Sequence, residues 1–340
     1  MEDGLDYVTI TIADVSAAIS EGSSLDLRAA KISQTFYQDG LAPKPMFPPL
    51  MSEGQLSLLK GSRKPGLSMK VCLDDINAGA KWFESAVNVS QTFDYESIYK
   101  DEGLVSKLKK MSAVFGLECD DSHKWVEAAM KFYNVEAAKL LKQAGLGVMR
   151  SHTGPDLERY NKLVPELAFL ANVAAKYVPP FGLTRHVGLG EDAYCHVTSP
   201  IRRYADLINQ RHLKQLLFAY PNNSWTPVDY DRLNTISKKA KQHDRDLVFL
   251  RALKKTGTGI VPGVIAEIRE FDDLCKLSIY VDTWKLMVKI KYKKGLEKGT
   301  IISKDETITM SVSVGQSVTI NYHSNLLARC WKRRIVLKLC

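Results

Sequence analysis

What this chain lacks narrows its class before any motif is read. No window reaches the roughly 18 continuous apolar residues a membrane-spanning helix needs. The N-terminal stretch MEDGLDYVTI is acidic and has no basic flank, so neither a membrane span nor a secretory signal is expected. The six cysteines, at 72, 119, 195, 275, 330 and 340, form no C-x-x-C pair. Without such pairs neither a disulfide framework nor a zinc site is expected, and Cys119 with His123 leaves a metal two ligands short. Reduced thiols fit an intracellular chain, cytoplasmic by default with the nucleus also open. Internal repeats and low-complexity tracts are absent as well. Acidic charge is in deficit: Lys+Arg number 47 against Asp+Glu 38, for a net charge of +9 and a pI near 9.1. That balance points to a polyanionic partner, nucleic acid first.

What is present is ordinary globular composition, 45% hydrophobic and 25% charged over 340 residues, enough for a large core and a smaller second domain. In YVTITIAD, Val8, Ile10 and Ile12 alternate with Thr9 and Thr11, the pattern of a half-buried strand. A capping box from Ser23 to Asp26 opens a helix predicted to run to about Tyr37. Residues 40–66 are broken by proline and glycine and are expected to be irregular. LSMKVCLDD and AKWFESAVNV read as two strands about a turn at Ile76–Gly79. Helices are predicted over Ser122–Gly145, over Asp156–Tyr177 with a break at Pro165, from Ser199 to about Tyr220, and over DRLNTISKKAKQHDRDLVFLRALKK. After Lys255 come five short strand-like runs, the count of a small barrel suited to single-stranded nucleic acid. Phe271, Tyr280, Trp284 and Tyr292 are its candidate stacking aromatics, with a core role for each equally open.

The stretch HVTSPIRRYADL, residues 196–207, combines Ser199 as a candidate helix cap with Pro200 at the first helical position. Arg202 and Arg203 then fall in the first turn, where the macrodipole is already positive. Free backbone N–H groups, that dipole and two guanidinium forks together suit a phosphate. Asp206, four residues beyond Arg202, is placed to orient or neutralise it.

The longer stretch HVGLGEDAYCHVTSPIRRYADLINQRHL, residues 186–213, resembles the signature of the RNase II family, Tyr-x-His-x-Thr-Ser-Pro-Ile-Arg-(Arg/Lys)-Tyr-x-Asp-Leu. IADVSAAISEGSSLDLRAA, PMFPPLMSEGQLSL and VMRSHTGPDLER are similar to further family segments. The resemblance implies an α+β catalytic core of the RNB type, with helices around a central sheet, over residues 1–255. It implies an OB-type RNA-binding barrel over 256–340. It also implies hydrolysis of single-stranded RNA from the 3′ end to nucleoside 5′-monophosphates, assisted by Mg²⁺ or Mn²⁺. By position Arg202 is the catalytic arginine, Thr198, Ser199 and Arg203 lie on the RNA, and Tyr95 in TFDYES stacks the terminal base.

Departures from the family pattern accompany the matches. The family's metal carboxylates, an Asp, six residues, then Asp-x-Asp-Asp, are matched here only by Glu2 and Asp3, with the first two positions falling before Met1. Glu2 and Asp3 are therefore the expected metal ligands, Asp3 is the expected catalytic carboxylate, and Asp14 is a further candidate. Metal binding is expected to be impaired, because Mg²⁺ tolerates little displacement of its oxygens. Thr11 and Gln210 stand where the family commonly has histidine. The cold-shock modules that precede the family's catalytic domain have no counterpart in these residues. An RNA-binding relative that does not hydrolyse, and a piece of a longer active enzyme, are the other two readings. RNA-decay partners are expected, with the oligomeric state open.

Overall fold

The computed structural model describes residues 4–38, 41–220, 227–297, 299–302, 309–324 and 335–340. Glu2 and Asp3 lie outside these residues. Two compact units are formed, one from Met1–Thr153 with Ala174–Lys238 and the other from Gly154–Val173 with Lys239–Cys340.

The first unit begins with β1 (Tyr7–Ala13), whose alternation is the one expected. The Ser23 hydroxyl accepts from the Asp26 N–H at 3.3 Å, opening α1 (Ser24–Ile32). That helix stops five residues before the predicted Tyr37, because Ser33 turns to φ 64° and the chain becomes β2 (Phe36–Gln38) and β3 (Leu41–Lys44). Between residues 40 and 66, expected to be irregular, lie β3, a π-helical turn at Leu50–Gln55 and the start of β4 (Lys64–Cys72). With β5 (Lys81–Val87), β4 forms the predicted hairpin pair, and the antiparallel order is β1-β4-β5. Leu67, Met69 and Val71 of the central strand pack against α3 (Ser122–Gln143), which follows α2 (Glu102–Val114). Tyr133 of α3 donates its hydroxyl to the Leu67 carbonyl at 3.0 Å, fixing helix to sheet. On the other face of the strands, hydroxyls of Thr11, Ser68 and Ser85 run in a chain at 2.8 and 2.7 Å.

Next comes β6 (Met149–Ser151), paired with β7 (Lys176–Val178). The helix expected over 156–177 is replaced by α4 (Leu157–Tyr160), a 3₁₀ turn at Pro165–Ala171 and β7. Val164 is held extended before Pro165, as a pre-proline residue prefers, and this divides the segment. The helix read from Ser199 begins later, as α5 (Tyr204–Phe218), with Arg203 at its cap position. Residues Ala205–Lys214 are all buried, polar ones included, so α5 is surrounded on every side. α6 (Tyr230–Thr256) contains the boundary between units.

The second unit is built on a seven-stranded antiparallel sheet, two strands more than the sequence suggested. It comprises β8 (Thr258–Glu270), β9 (Leu274–Val281), β10 (Leu286–Lys294), β11 (Thr300–Ile302), β12 (Thr309–Ser311), β13 (Ser317–Ser324) and β14 (Ile335–Leu339). β11 and β12 have three residues each, too short to carry a period-two pattern. Their order, β12-β11-β10-β9-β8-β13-β14, is consistent with an OB-type domain. Its interior holds Ile265, Leu277, Ile279, Ile290 and Ile320. Trp284 and Tyr292 belong to that core, and Tyr280 is covered by Leu167 of the 154–173 segment; of the four candidate stacking aromatics only Phe271 is exposed. Among the described residues no helix is long and apolar enough to cross a membrane.

Candidate functional site

The segment from Tyr194 to Arg203 is held by buried side chains reaching it from two helices. From α3, Asn134 accepts the Val197 N–H at 3.0 Å and donates to the Tyr194 hydroxyl at 3.0 Å and to Thr198 Oγ1 at 3.4 Å. From α5, Asn209 donates to the carbonyls of His196 and Val148 at 2.8 and 2.9 Å and accepts the Val148 N–H at 2.6 Å. Gly147 permits this last clamp: its φ is +85°, and a Cβ there would stand 2.8 Å from Asn209 Oδ1. Gln210 reaches the end of β1, donating to the Ala13 carbonyl at 2.9 Å and accepting the Ser16 N–H at 3.0 Å. At the position where the family commonly has histidine, the amide thus satisfies one donor and one acceptor at once.

Asp206 explains why α5 starts late. Its carboxylate, fully buried, accepts the Ser199 N–H at 2.7 Å and both Nε and Nη2 of Arg203 at 2.7 Å. Residues 199–203 form a separate turn, with the N–H groups of Arg202 and Arg203 both on the Ser199 carbonyl at 3.1 and 3.0 Å. A bridge between Gln34 and Arg203, with Thr35 N–H on the Arg202 carbonyl at 2.9 Å, pins that turn to the chain after α1. The fork expected for Arg202 is therefore made by Arg203. Arg202 is exposed, without a carboxylate partner among the described residues. It lines a cavity of about 510 Å³ together with Thr198, Ser199, Thr11 and Glu53.

A second guanidinium, Arg150 in β6, was not singled out by sequence reasoning, although it stands in the quoted block VMRSHTGPDLER. It is 6% exposed, lies 4.4 Å over the Tyr177 ring, and its Nη1 is buried without a hydrogen-bond partner. Burial lowers its pKa, with Arg203 acting in the same direction. An arginine stays charged in proteins, so an unpaired buried one favours an anion beside it.

A family model described as RNB domain matches residues 2–101 and 84–219, which cover more than half of the chain. The chain belongs to the RNB family, that of RNase II. Ribonuclease R of Helicobacter pylori is 26% identical over 384 residues, a match covering 85% of this chain and 58% of that protein. The chain thus spans little more than half the length of that relative. Among solved structures, Mycoplasma genitalium RNase R in complex with ribose methylated single-stranded RNA superposes with a TM-score of 0.76 at 18% identity. That superposition covers 98% of this chain and 67% of the other. Yeast Ssd1, a pseudonuclease, gives 0.63 at 14% identity, covering 95% of this chain and 49% of Ssd1. Both share the fold of this RNB chain.

The expected site residues are distributed unevenly over the first unit. Thr198, Ser199 and Arg202 come together at the one cavity, and Arg203 stands behind it, committed to Asp206. Tyr95 lines a different cavity of about 330 Å³, with Phe93 and Trp125. Its ring stacks on His123 with centroids 3.6 Å apart, and it is 46% exposed.

The described donors do not fit a divalent metal. Among the described residues there is no group of three or more His, Cys, Asp or Glu side chains able to hold one. Asp14 is committed elsewhere: Oδ1 accepts from Ser16 Oγ at 2.6 Å and the Ala17 N–H at 3.1 Å, and Oδ2 accepts from Lys214 at 2.6 Å. Lys214 bridges it to Glu84 at 2.7 Å. A carboxylate so saturated serves the packing of α5 against the end of β1.

Three histidines around this framework are held neutral. Burial, with Arg203 and Arg150 next in weight, pushes His196 well below the usual imidazole range, and its Nδ1 faces the Tyr177 hydroxyl at 3.2 Å. Burial brings His212 down to about 4, and burial with His152 nearby lowers His186. Below about pH 6.5 the unfolded chain takes up protons that these native sites refuse, so stability falls on acidification. His212 alone is expected to remove about 2 kcal/mol between pH 7.5 and pH 5, and His196 acts in the same direction. Urea unfolding at the two pH values checks this; equal stabilities would mean that the imidazoles protonate freely in the folded chain.

Proposed function

We propose that this RNB chain grips single-stranded RNA by a phosphate at the Arg202 cavity, in the manner of RNase II-type 3′-to-5′ exoribonucleases. We infer further that these 340 residues hydrolyse it slowly or not at all. The observation carrying the first part is the contrast between two adjacent arginines. Arg203 is consumed by Asp206, while Arg202 lines the cavity without a carboxylate partner among the described residues. A guanidinium held on a braced turn with an exposed fork is matched to phosphate oxygens. The RNA-bound state of the M. genitalium relative supports RNA as the polyanion.

The family's chemistry releases nucleoside 5′-monophosphates with help from Mg²⁺ or Mn²⁺, which supply charge stabilisation and an activated water. Asp14, the described candidate ligand, is committed to Lys214, and the likeness to a pseudonuclease supports the non-hydrolysing reading. Transition-state charge left without several kcal/mol of such stabilisation means decades of lost rate. The alternative is an active exoribonuclease using Glu2 and Asp3. In either case the proposed setting is RNA decay in the cytoplasm, with a catalytic-type domain over 1–255 and an RNA-binding module over 256–340.

Incubation of a 5′-labelled single-stranded RNA with the chain and Mg²⁺ or Mn²⁺ separates the two. The expected result is a retarded complex containing intact RNA. A ladder shortening from the 3′ end, abolished by Asp3→Asn, would establish the active alternative instead.

A further inference from the structure

One strip of the first unit runs against the charge of the chain as a whole. Residues 91–127 carry eight Asp and Glu against five Lys, in a protein whose net charge is +9. Three of those lysines are already spent in ion pairs. Lys109 meets Asp120 at 2.5 Å, Lys110 meets Asp6 and Asp74 at 2.6 and 2.8 Å, and Lys124 meets Glu127 at 2.6 Å. Lys100 and Lys107 remain. Asp94, Glu96, Asp101 and Glu102 form no ion pair among the described residues, and Asp94, Glu96 and Glu102 are exposed.

The same strip presents aromatic surface in a fixed shape. Phe93, Tyr95 and Tyr99 are 36%, 46% and 46% exposed. Hydrogen bonds hold the segment that carries them. The Asp94 carboxylate accepts the N–H groups of Ser97 and Glu96 at 2.6 and 3.1 Å, and Ser97 Oγ accepts the Asp94 N–H at 3.0 Å. Ser122, at the start of α3, donates its hydroxyl to the Tyr95 carbonyl at 2.8 Å and its N–H to the Tyr99 hydroxyl at 2.9 Å. That hydroxyl in turn donates to the Asp120 carbonyl at 2.8 Å. Phe93 is shared by two cavities. One, of about 330 Å³, is walled by Tyr95, Ile98, Trp125 and Val126, with Asp94 its one charged residue among those described. The other, of about 660 Å³, is lined by Asp101 and Glu102 together with Lys100. Exposed apolar side chains gathered around a cavity, with polar residues at its rim, mark an interaction site rather than scattered surface.

We propose that this face docks a protein partner, through a short segment in which one large apolar side chain is flanked by lysines or arginines. The apolar side chain enters the cavity between Phe93 and Tyr95, with Trp125 as its floor, and the flanking cations meet Asp94, Glu96, Asp101 and Glu102. Aromatic walls already held by hydrogen bonds bind with little further ordering cost. Aromatic side chains are also the usual anchors at interface centres. The carboxylates around them attract a basic segment and set its orientation, and the same charges repel phosphate. Tyr95 is thereby given to a protein contact rather than to a terminal base. The proposal goes beyond the reading of RNA at Arg202 and stands independently of it.

The test is selection of displayed random dodecapeptides on the full chain, followed by fluorescence anisotropy of the enriched peptides. Enriched sequences are expected to carry a Leu, Ile, Phe or Trp between Lys or Arg residues. Phe93→Ser is expected to weaken their binding by at least about tenfold. Glu96→Gln/Glu102→Gln is expected to weaken it by about three- to tenfold at low salt and by less at high salt. Thermal melts of both variants show that they are folded, and both should bind oligouridylate as the parent chain does. Absence of basic-apolar peptides from the selection, or affinities that both variants leave unchanged, would overturn the proposal. Displacement of the peptides by oligouridylate, or loss of oligouridylate binding in a folded Phe93→Ser chain, would place the strip on the path of RNA and overturn it too. Dimerisation of the parent chain in sedimentation, abolished by Phe93→Ser, would assign the face to a second copy of the chain instead.

Discussion

Replacing Asp206 by alanine is expected to lower the unfolding free energy by about 3–5 kcal/mol, and the melting temperature by roughly 10 °C or more. The carboxylate is fully buried and makes three bonds of 2.7 Å, two from Arg203 and one from the Ser199 N–H. Its loss leaves a guanidinium only 23% exposed without a counter-charge, and a backbone donor without an acceptor. The cost is dominated by the charge left behind rather than by the bond removed. Asp206→Asn, which keeps one acceptor oxygen but no charge, should fall between. The double variant Asp206→Leu/Arg203→Leu should regain a large part of the loss, because the pair is desolvated together. Urea unfolding followed by circular dichroism measures all three. A cost below about 1 kcal/mol for Asp206→Ala would mean that the pair behaves like a surface ion pair, and that the turn at 199–203 is held by its backbone bonds alone.

This pair also marks where the sequence was legible and where it was not. HVTSPIRRYADL identified the family and pointed to a phosphate, and Thr198, Ser199 and Arg202 do line one cavity. The Ser-Pro start was misread because a cap signature describes only local chemistry. Here the Ser199 side chain is not the cap, and its N–H is taken by Asp206 from inside the following helix. Assigning Asp206 to Arg202 by i,i+4 spacing failed for the same reason: Arg203 precedes the helix in extended geometry, with φ −135° and ψ 126°, which swings its fork back onto Asp206. Arg150 stands in a quoted family block but carries no assigned role there, since nothing in a three-residue strand announces that its arginine will be buried. Strands with clear alternation, such as β1, β4 and β10, were read correctly, whereas β6, β7, β11 and β12 are three residues long and have no period to read. The placement of residues 154–173 with the second unit depends on Leu167 meeting Ala266 and Tyr280, a contact about a hundred residues away in sequence.

The second large effect separates the two adjacent arginines. Arg202→Ala is expected to leave stability within about 0.5 kcal/mol of the parent chain, since Arg202 is exposed and has no carboxylate partner among the described residues. It is expected to weaken oligouridylate binding by roughly 10–100-fold, the worth of one charge-assisted hydrogen-bonded contact of about 1.5–3 kcal/mol. Arg202→Lys should recover only part of this, because a point charge cannot reproduce the fork. Arg203→Ala should do the reverse at the level of the fold. It strands Asp206 in the interior and costs about 3–5 kcal/mol, so that any RNA binding lost follows from unfolding and returns on cooling or in stabilising salt-free osmolyte. Measuring affinity and unfolding on both variants gives a crossed pattern if Arg202 grips and Arg203 braces. Equal losses of affinity in two fully folded variants would mean that both guanidinium groups reach phosphate and that the Asp206 fork opens when RNA binds. Side-chain type alone does not distinguish these outcomes, because both residues are arginine in this chain. The distinction lies in the carboxylate three positions after Arg203, whose burial decides which of the two forks is left for a ligand.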